Sequence, residues 1–171
     1  MPSKLSEAES RVLESIQGAA FDVPGVLPTA RGLSHWGEHA LGWMGTAAVG
    51  AGVDKRRREG WIRVGAAAFL AHAASVVLKR IVRRKRPDYS YVRVGVKTPS
   101  KLSFPSSHTT STTGFLVAVA RLTGRKAPLF GVPVMMASRM VLGVHYPTDT
   151  AVGAAIGAAT AEVVMKGMKH E

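Results

Sequence analysis

The sequence predicts an all-α fold: an integral membrane helical bundle of about five transmembrane helices plus an N-terminal amphipathic helix. Three observations carry that expectation. The 171-residue chain combines a net charge of +12 with a 46% hydrophobic composition, and the two kinds of residue fall in separate blocks, as basic loops alternate with spans in membrane proteins. Five apolar blocks follow from Trp36 onward, at 36–53, 61–82, about 108–122, 127–144 and 148–166. Each is near the length that crosses a hydrocarbon core of about 30 Å at about 1.5 Å per residue. The blocks are also rich in Gly and Ala, and small residues let helices approach closely where lipid removes the hydrophobic drive between them. Gly153 and Gly157 show the small-xxx-small spacing.

Ahead of the blocks, residues 4–20 place Leu5, Val12, Leu13 and Ile16 at mixed three- and four-residue intervals among charges, which predicts an amphipathic helix too polar to span. Its acidity and lack of an apolar core distinguish it from a secretory signal. Pro24, Gly25, Pro28 and Gly32 make residues 22–35 read as a loop. Two regions result, 1–35 as N-terminal helix and loop and 36–171 as a transmembrane domain. Breaks between the spans fall at 54–60, 83–103, 124–126 and 145–147. A soluble helical bundle is the alternative, since no block is wholly free of polar residues. The absence of cysteine excludes disulfides and a cysteine nucleophile. Basic residues divide between both ends of the spans, so the positive-inside rule assigns the active face to neither side.

Three short segments carry the chemistry. Lys79 and Arg86 stand seven residues apart, which on a continuing helix sets both on one face with Arg83 between them, and Pro87 stops the span at the membrane surface. Arg80, Arg83, Arg84 and Lys85 read as snorkelling or anchoring cations, whereas Lys79 and Arg86 are candidates for binding phosphate. Pro105-Ser106-Ser107-His108-Thr109 reads as a helix start, with proline in the first turn and hydroxyls to satisfy free N–H groups. Such an N-terminus attracts anions, and His108 is placed to exchange a proton, although a segment of this kind is usually only a cap. In the third, Ser138 and Arg139 lie late in the fourth span, His145 follows, and Asp149 stands four residues further on. A carboxylate at that offset can take a hydrogen bond from one imidazole nitrogen and leave the other nucleophilic, or act only on the helix dipole. An arginine inside a span is costly unless it has a task.

In their order and spacing the motifs at 79–87, 105–108 and 138–149 resemble the three-part signature of the type 2 phosphatidic acid phosphatase superfamily, which also includes vanadium haloperoxidases. The resemblance covers about 36–166. It departs in two places: Ser107 replaces the glycine usual in the second motif, and the first of the six spans usual for membrane members is replaced by 4–20. The resemblance implies that Lys79, Arg86 and Arg139, with Ser106 and backbone N–H groups near Ser107, hold a phosphate. It implies that His145 attacks phosphorus to give a phosphohistidine, that Asp149 orients it, and that His108 protonates the leaving alkoxide and later activates water. No metal and no cofactor is implied, because three cationic side chains neutralise the phosphate. His35, His39, His72 and His170 match nothing and read as core or surface residues.

The expected activity is that of a multi-pass plasma-membrane phosphatase, metal-independent, acting on a polyprenyl-linked phosphate monoester. The short chain and the basic stretches at 55–58 and 79–95 resemble an actinobacterial branch that acts on a polyprenyl sugar phosphate in cell-wall synthesis. Polyprenyl pyrophosphate, phosphatidic acid and phosphatidylglycerophosphate are alternative substrates. The partners expected are the phosphorylated lipid and the bilayer, with no nucleic acid. A non-enzymatic basic membrane protein tethering anionic lipid or nucleic acid is the reading from another class. The surplus cations Arg83, Arg84, Lys85, Arg93 and Lys97 can engage a sugar phosphate or the anionic membrane surface.

Overall fold

The computed structural model describes residues 4–166, and within them every extended regular element is a helix, with one isolated antiparallel bridge between Lys85 and Leu102. Lys169 and His170 lie outside the described residues. The order is α1 (Lys4–Ala20), α2 (Val26–Trp36), a 3-10 turn (Glu38–Ala40), α3 (Leu41–Val53), a second 3-10 turn (Lys55–Arg57) and α4 (Arg58–Val82). A long connection, 83–106, leads to α5 (Ser107–Thr123); a third 3-10 turn (Ala127–Phe130), α6 (Gly131–Val141) and α7 (Pro147–Met165) complete it.

Helix α5 is the centre of the bundle, packed on α4 and α7, with α3 against the outer side of α4. Small residues make these approaches possible. A side chain at Gly157 would overlap the Thr110 carbonyl oxygen, and one at Gly114 would come within 2.9 Å of Ala71 Cβ and 3.1 Å of the Ala67 carbonyl. The Gly153–Gly157 stripe of α7 therefore lies against α5, as the spacing suggests. Ala67, Ala68, Ala71, Ala118 and Ala161 are fully buried, while large apolar side chains such as Val49, Phe69, Val77, Ile81, Phe130 and Val163 are exposed. Small residues inside and bulky apolar residues outside is the pattern of helices whose surroundings are themselves apolar.

Only one helix among the described residues is long and apolar enough to cross a membrane by length and composition, Lys55–Val82. Ala127–Val141 is a shorter apolar helix, and the 13 residues of α3 extend about 20 Å at the helical rise.

Three local expectations change. Residues 22–35 are not all loop: α2 begins at Val26, with Gly25 at φ 86° ahead of it and Pro28 in the first turn, where its missing N–H costs nothing. Helix α4 ends at Val82, and Arg83 caps it in the left-handed region at φ 54°, its N–H donating to the Lys79 carbonyl at 3.1 Å. Arg86 thus does not share a helical face with Lys79. The fourth block is broken at its catalytic end, where Gly143 at φ 66° turns the chain between α6 and α7.

Helix α1 has the predicted bounds, but its inward face is Glu9, Ser10, Leu13 and Gln17, while Leu5 and Val12 are exposed. The reason is the surface it meets, which is polar. Gln17 Nε2 donates to the Arg93 and Val141 carbonyls at 2.6 and 2.9 Å, and Ser10 shares a hydrogen bond with the Tyr91 hydroxyl at 2.8 Å. Helices α1 and α2 are packed on the rest of the chain, α1 against α6 and α7 and α2 against α6.

Candidate active site

Helix α4 delivers Lys79 one turn before its end; Lys79 Nζ donates to the Leu102 carbonyl at 3.1 Å. Beyond the helix, residues 84–86 run against 101–103. The Arg86 N–H donates to the Lys101 carbonyl at 3.2 Å and the Ser103 N–H to the Arg84 carbonyl at 2.7 Å. This short pairing fixes Arg86, whose Nε donates to the Ser100 carbonyl at 2.8 Å and whose Nη1 donates to the Val144 carbonyl at 2.6 Å. An extended segment therefore replaces the expected helical face and still brings Arg86 to the site.

At the second motif, Pro105 precedes the helix rather than entering its first turn, and Ser106 is the N-cap of α5. Ser106 is fully buried; its hydroxyl accepts from the Thr109 N–H at 3.4 Å and the Thr109 hydroxyl at 3.1 Å. Its own N–H donates to the Asp149 backbone carbonyl at 3.0 Å, which ties the second motif to the third. Ser107, the first residue of α5, faces the pocket together with His108. His108 Nε2 lies 2.9 Å from the Ser34 carbonyl. A carbonyl only accepts, so Nε2 carries the proton and Nδ1 is the nitrogen free to exchange one.

His145 sits in the turn between α6 and α7 and is 1% exposed. Arg86 Nη1 donates to its Nε2 at 3.2 Å, which makes Nε2 the acceptor nitrogen of a ring that lines the pocket. Burial above all, then the positive charges of Arg86, Arg139 and Lys79, hold the imidazole well below its ordinary pKa of 6.5. It is neutral at pH 7. Burial also pushes the Arg86 guanidinium down to about 10, against a small upward pull from Asp149, so it remains a cation.

Asp149 is fully buried in the first turn of α7. Its Oδ2 accepts from the Tyr146 N–H at 2.9 Å and lies 3.6 Å from His145 Nδ1, beyond hydrogen-bond length; its Oδ1 accepts from Arg84 Nη1 at 2.9 Å. The carboxylate caps the helix start, and the hydrogen bond expected from the imidazole is not made: the two groups face each other at electrostatic range. Arg139, on α6, is 1% exposed, and its Nε and Nη1 have no hydrogen-bond acceptor among the described residues. A buried guanidinium in that state has donors that an anion would satisfy.

Lys79, Arg86, Ser107, His108, Arg139 and His145 line one cavity of about 320 Å³. Of the expected site residues, Ser106 and Asp149 stand behind its wall rather than in it. His35, His39 and His72 also line it, so five of the six histidines share one pocket, contrary to their reading as core or surface residues. Sequence reasoning missed Arg84 and Glu9 as well. Arg84 Nη2 donates to Glu9 Oε2 at 2.6 Å, Glu9 Oε1 accepts from the Thr148 N–H at 2.8 Å, and the guanidinium lies 3.9 Å over the Tyr146 ring. Within a run of six basic residues between 79 and 86, nothing marks Arg84 as the paired one.

The PAP2 superfamily profile matches residues 60–171. Decaprenylphosphoryl-5-phosphoribose phosphatase of Mycobacterium tuberculosis is 50% identical over 164 residues, 96% of this chain and 93% of its own length. The protein of the same name from Mycolicibacterium smegmatis is 54% identical over 151 residues, 88% of this chain and 84% of its own. In fold, the chain is similar to the transmembrane PAP2 type phosphatidylglycerolphosphate phosphatase of Bacillus subtilis, with a TM-score of 0.68, 22% identity and coverage of 92% of this chain and 84% of that one.

Proposed function

Because this chain belongs to the PAP2 superfamily, we propose that it hydrolyses a polyprenyl-linked phosphate monoester, with decaprenylphosphoryl-5-phosphoribose as substrate, through a phosphohistidine. The two mycobacterial relatives carry that substrate in their names. The observation that carries the chemistry is the buried guanidinium of Arg139, which has Nε and Nη1 without acceptors and shares a pocket with the accepting nitrogen of His145.

Lys79, Arg86 and Arg139 surround the phosphoryl oxygens, and the start of α5 at Ser107, held by the Ser106 cap, offers N–H groups. The His145 Nε2 lone pair attacks phosphorus as the bond to the ester oxygen breaks. His108, entering the step as the imidazolium, gives its Nδ1 proton to the departing alkoxide and keeps the Nε2 proton on the Ser34 carbonyl. A water molecule then surrenders a proton to His108 and attacks the phosphorus, the N–P bond breaks, and inorganic phosphate leaves with both histidines restored. Asp149 stabilises positive charge on His145 while the N–P bond exists. Charge neutralisation by three cations is the task a metal performs in other phosphoryl transfers.

A lipid substrate also fits the exposed bulky apolar residues around the bundle. We assign α3, α4, α5, α7 and the 127–141 helix to the membrane as five spans of a multi-pass plasma-membrane protein, with α1 and α2 as a clamp at the catalytic end. The decisive experiment is phosphate release by detergent-purified protein, in EDTA, from decaprenylphosphoryl-5-phosphoribose beside polyprenyl pyrophosphate, phosphatidic acid and phosphatidylglycerophosphate. Preferential hydrolysis of the first, abolished by His145→Ala, is expected. Activity that survives the substitution removes His145 as nucleophile, and preference for another lipid removes the substrate.

A further inference from the structure

We propose that Arg80 and Lys97 form a second anion subsite at the rim of the catalytic pocket, which holds the phosphodiester joining a lipid chain to the sugar that bears the scissile phosphate. This rests on the substrate class proposed above and assigns residues to its recognition.

The surplus cations of the basic stretch do not share one fate. Arg84 is spent on Asp149 and Glu9. Arg93 pairs with Asp22 at 2.9 Å and lies 3.8 Å over the Phe21 ring. Arg83 and Lys85 are exposed and do not line the pocket. Arg80 and Lys97 do line it, and neither side chain makes a hydrogen bond or ion pair with the protein among the described residues. Glu38, the acidic residue of the same wall, forms no ion pair with either.

Geometry connects this pair to the catalytic clamp. Arg80 follows Lys79 directly on α4, so one turn of helix presents one cation to the scissile phosphate and the next, about 1.5 Å along the axis and about 100° round it, to a neighbouring group. A cavity of about 320 Å³ is of the size that holds a small organic ligand rather than a phosphate alone. The wall of the same cavity carries hydrogen-bonding groups suited to sugar hydroxyls. Glu38 is one; His39 and His72 stand edge to face at 5.9 Å, and the buried Nδ1 of His72 has no partner among the described residues. Cations beyond those of the clamp, together with partners for hydroxyls in one cavity, suit a sugar phosphorylated at two positions.

Anchoring to an anionic bilayer is the competing use of two rim cations, but it attracts every lipid alike. The test therefore uses two phosphate monoesters of equal chain length with the full-length protein in neutral detergent. One is a short-chain polyprenylphosphoryl-5-phosphoribose; the other is the 5-phosphoribosyl glycoside in which the chain joins the sugar without the phosphodiester. The native protein should prefer the first by at least about tenfold in kcat/KM, through KM. In Arg80→Ala/Lys97→Ala that preference ratio should fall toward one. A ratio that stays constant in the double variant overturns the subsite, whether or not both rates fall. Should the native protein cleave neither compound but cleave phosphatidic acid, the substrate reading fails, and the two compounds are compared as competitive inhibitors of that reaction. A tenfold tighter Ki for the diester, lost in the double variant, sustains the subsite; equal Ki values overturn it.

Discussion

Arg84 Nη1 lies 2.9 Å from Asp149 Oδ1, and this one contact binds the most deeply buried carboxylate of the site to the N-terminal helix, because the other arm of the same guanidinium holds Glu9 at 2.6 Å. Asp149 is 0% exposed and Arg84 18%. The carboxylate that faces His145 therefore has its charge balanced and its orientation set from behind.

Removing Arg84 should leave a buried, unpaired carboxylate, a change that costs about 3–5 kcal/mol. In Arg84→Ala the thermal unfolding midpoint should fall by roughly 10 °C, and kcat should fall more than KM rises. Arg84→Lys keeps the charge but cannot bridge Asp149 and Glu9 with two prongs, so it should recover only part of the loss. Glu9→Gln separates the effects, since Arg84 can still serve Asp149. Melting curves and steady-state kinetics on the three variants check this, and an unaltered kcat in Arg84→Ala would remove its influence on catalysis.

The protonation of His145 sets a pH expectation. Its pKa is lowered, so the neutral, nucleophilic form persists as pH falls through 6.5. Below 6.5 the unfolded chain binds a proton at this position that the folded chain refuses, so the histidine's contribution to stability decreases as pH falls through that range. Nitrogen chemical shifts of labelled histidine should show His145 neutral at pH 6 in detergent. Arg86→Gln removes the largest electrostatic cause and should move the titration upward, short of 6.5 because burial remains.

Ser107 begins α5 with ordinary helical backbone, and the left-handed residues of the chain lie elsewhere. The freedom of a glycine is thus not needed here. Ser107→Gly should change KM by less than about threefold and lower stability by about 0.5–1 kcal/mol through the unfolded chain's added entropy. A large gain in kcat would show instead that the serine side chain obstructs the phosphate.

Gly157 is the tightest point of the α5–α7 contact, where a methyl group meets the Thr110 carbonyl and the Gly114 nitrogen. Gly157→Ala should cost about 1–3 kcal/mol by forcing the helices apart, and because α5 carries His108 it should lower activity as well. Gly45, around which nothing lies within 4 Å, is the control: Gly45→Ala should be neutral or stabilising.

Vanadate adopts the trigonal-bipyramidal arrangement of a phosphoryl group in transit, so it should inhibit competitively and more tightly than phosphate. Arg139→Ala should weaken vanadate binding by more than it weakens substrate binding, because the guanidinium acts on charge that develops at phosphorus. Equal losses would reassign Arg139 to ground-state binding.

The helical class, the ends of α1 and the gathering of Lys79, Arg86, Ser107, His108, Arg139 and His145 around one cavity are legible in the sequence because each leaves a local mark: periodicity, caps, or motif spacing. Arg86 reaches that cavity by another route than the expected one. Seven residues after Lys79 it suggests a shared helical face, yet Arg83 ends the helix and pairing with 101–103 brings Arg86 in. Long-range partners leave no such mark. Glu9 is one acid among several in α1, Ser34 acts through its backbone carbonyl, and the inward turn of α1's polar side depends on a surface assembled from residues 84 to 148. His39 and His72 were silent for the same reason, since only the packing of the first 3-10 turn on α4 brings them together.

The hydrogen bond from the Thr148 N–H to Glu9 joins residues 139 positions apart. Glu9 is made well before Thr148, so α1 must wait, through synthesis of the residues between them, for the helix it will grip. Its polar inner face keeps its hydrogen bonds to water during that time, where an apolar one would seek other apolar surface. The carboxylate behind His145 is then tied to α1, through Arg84, only once the start of α7 has emerged.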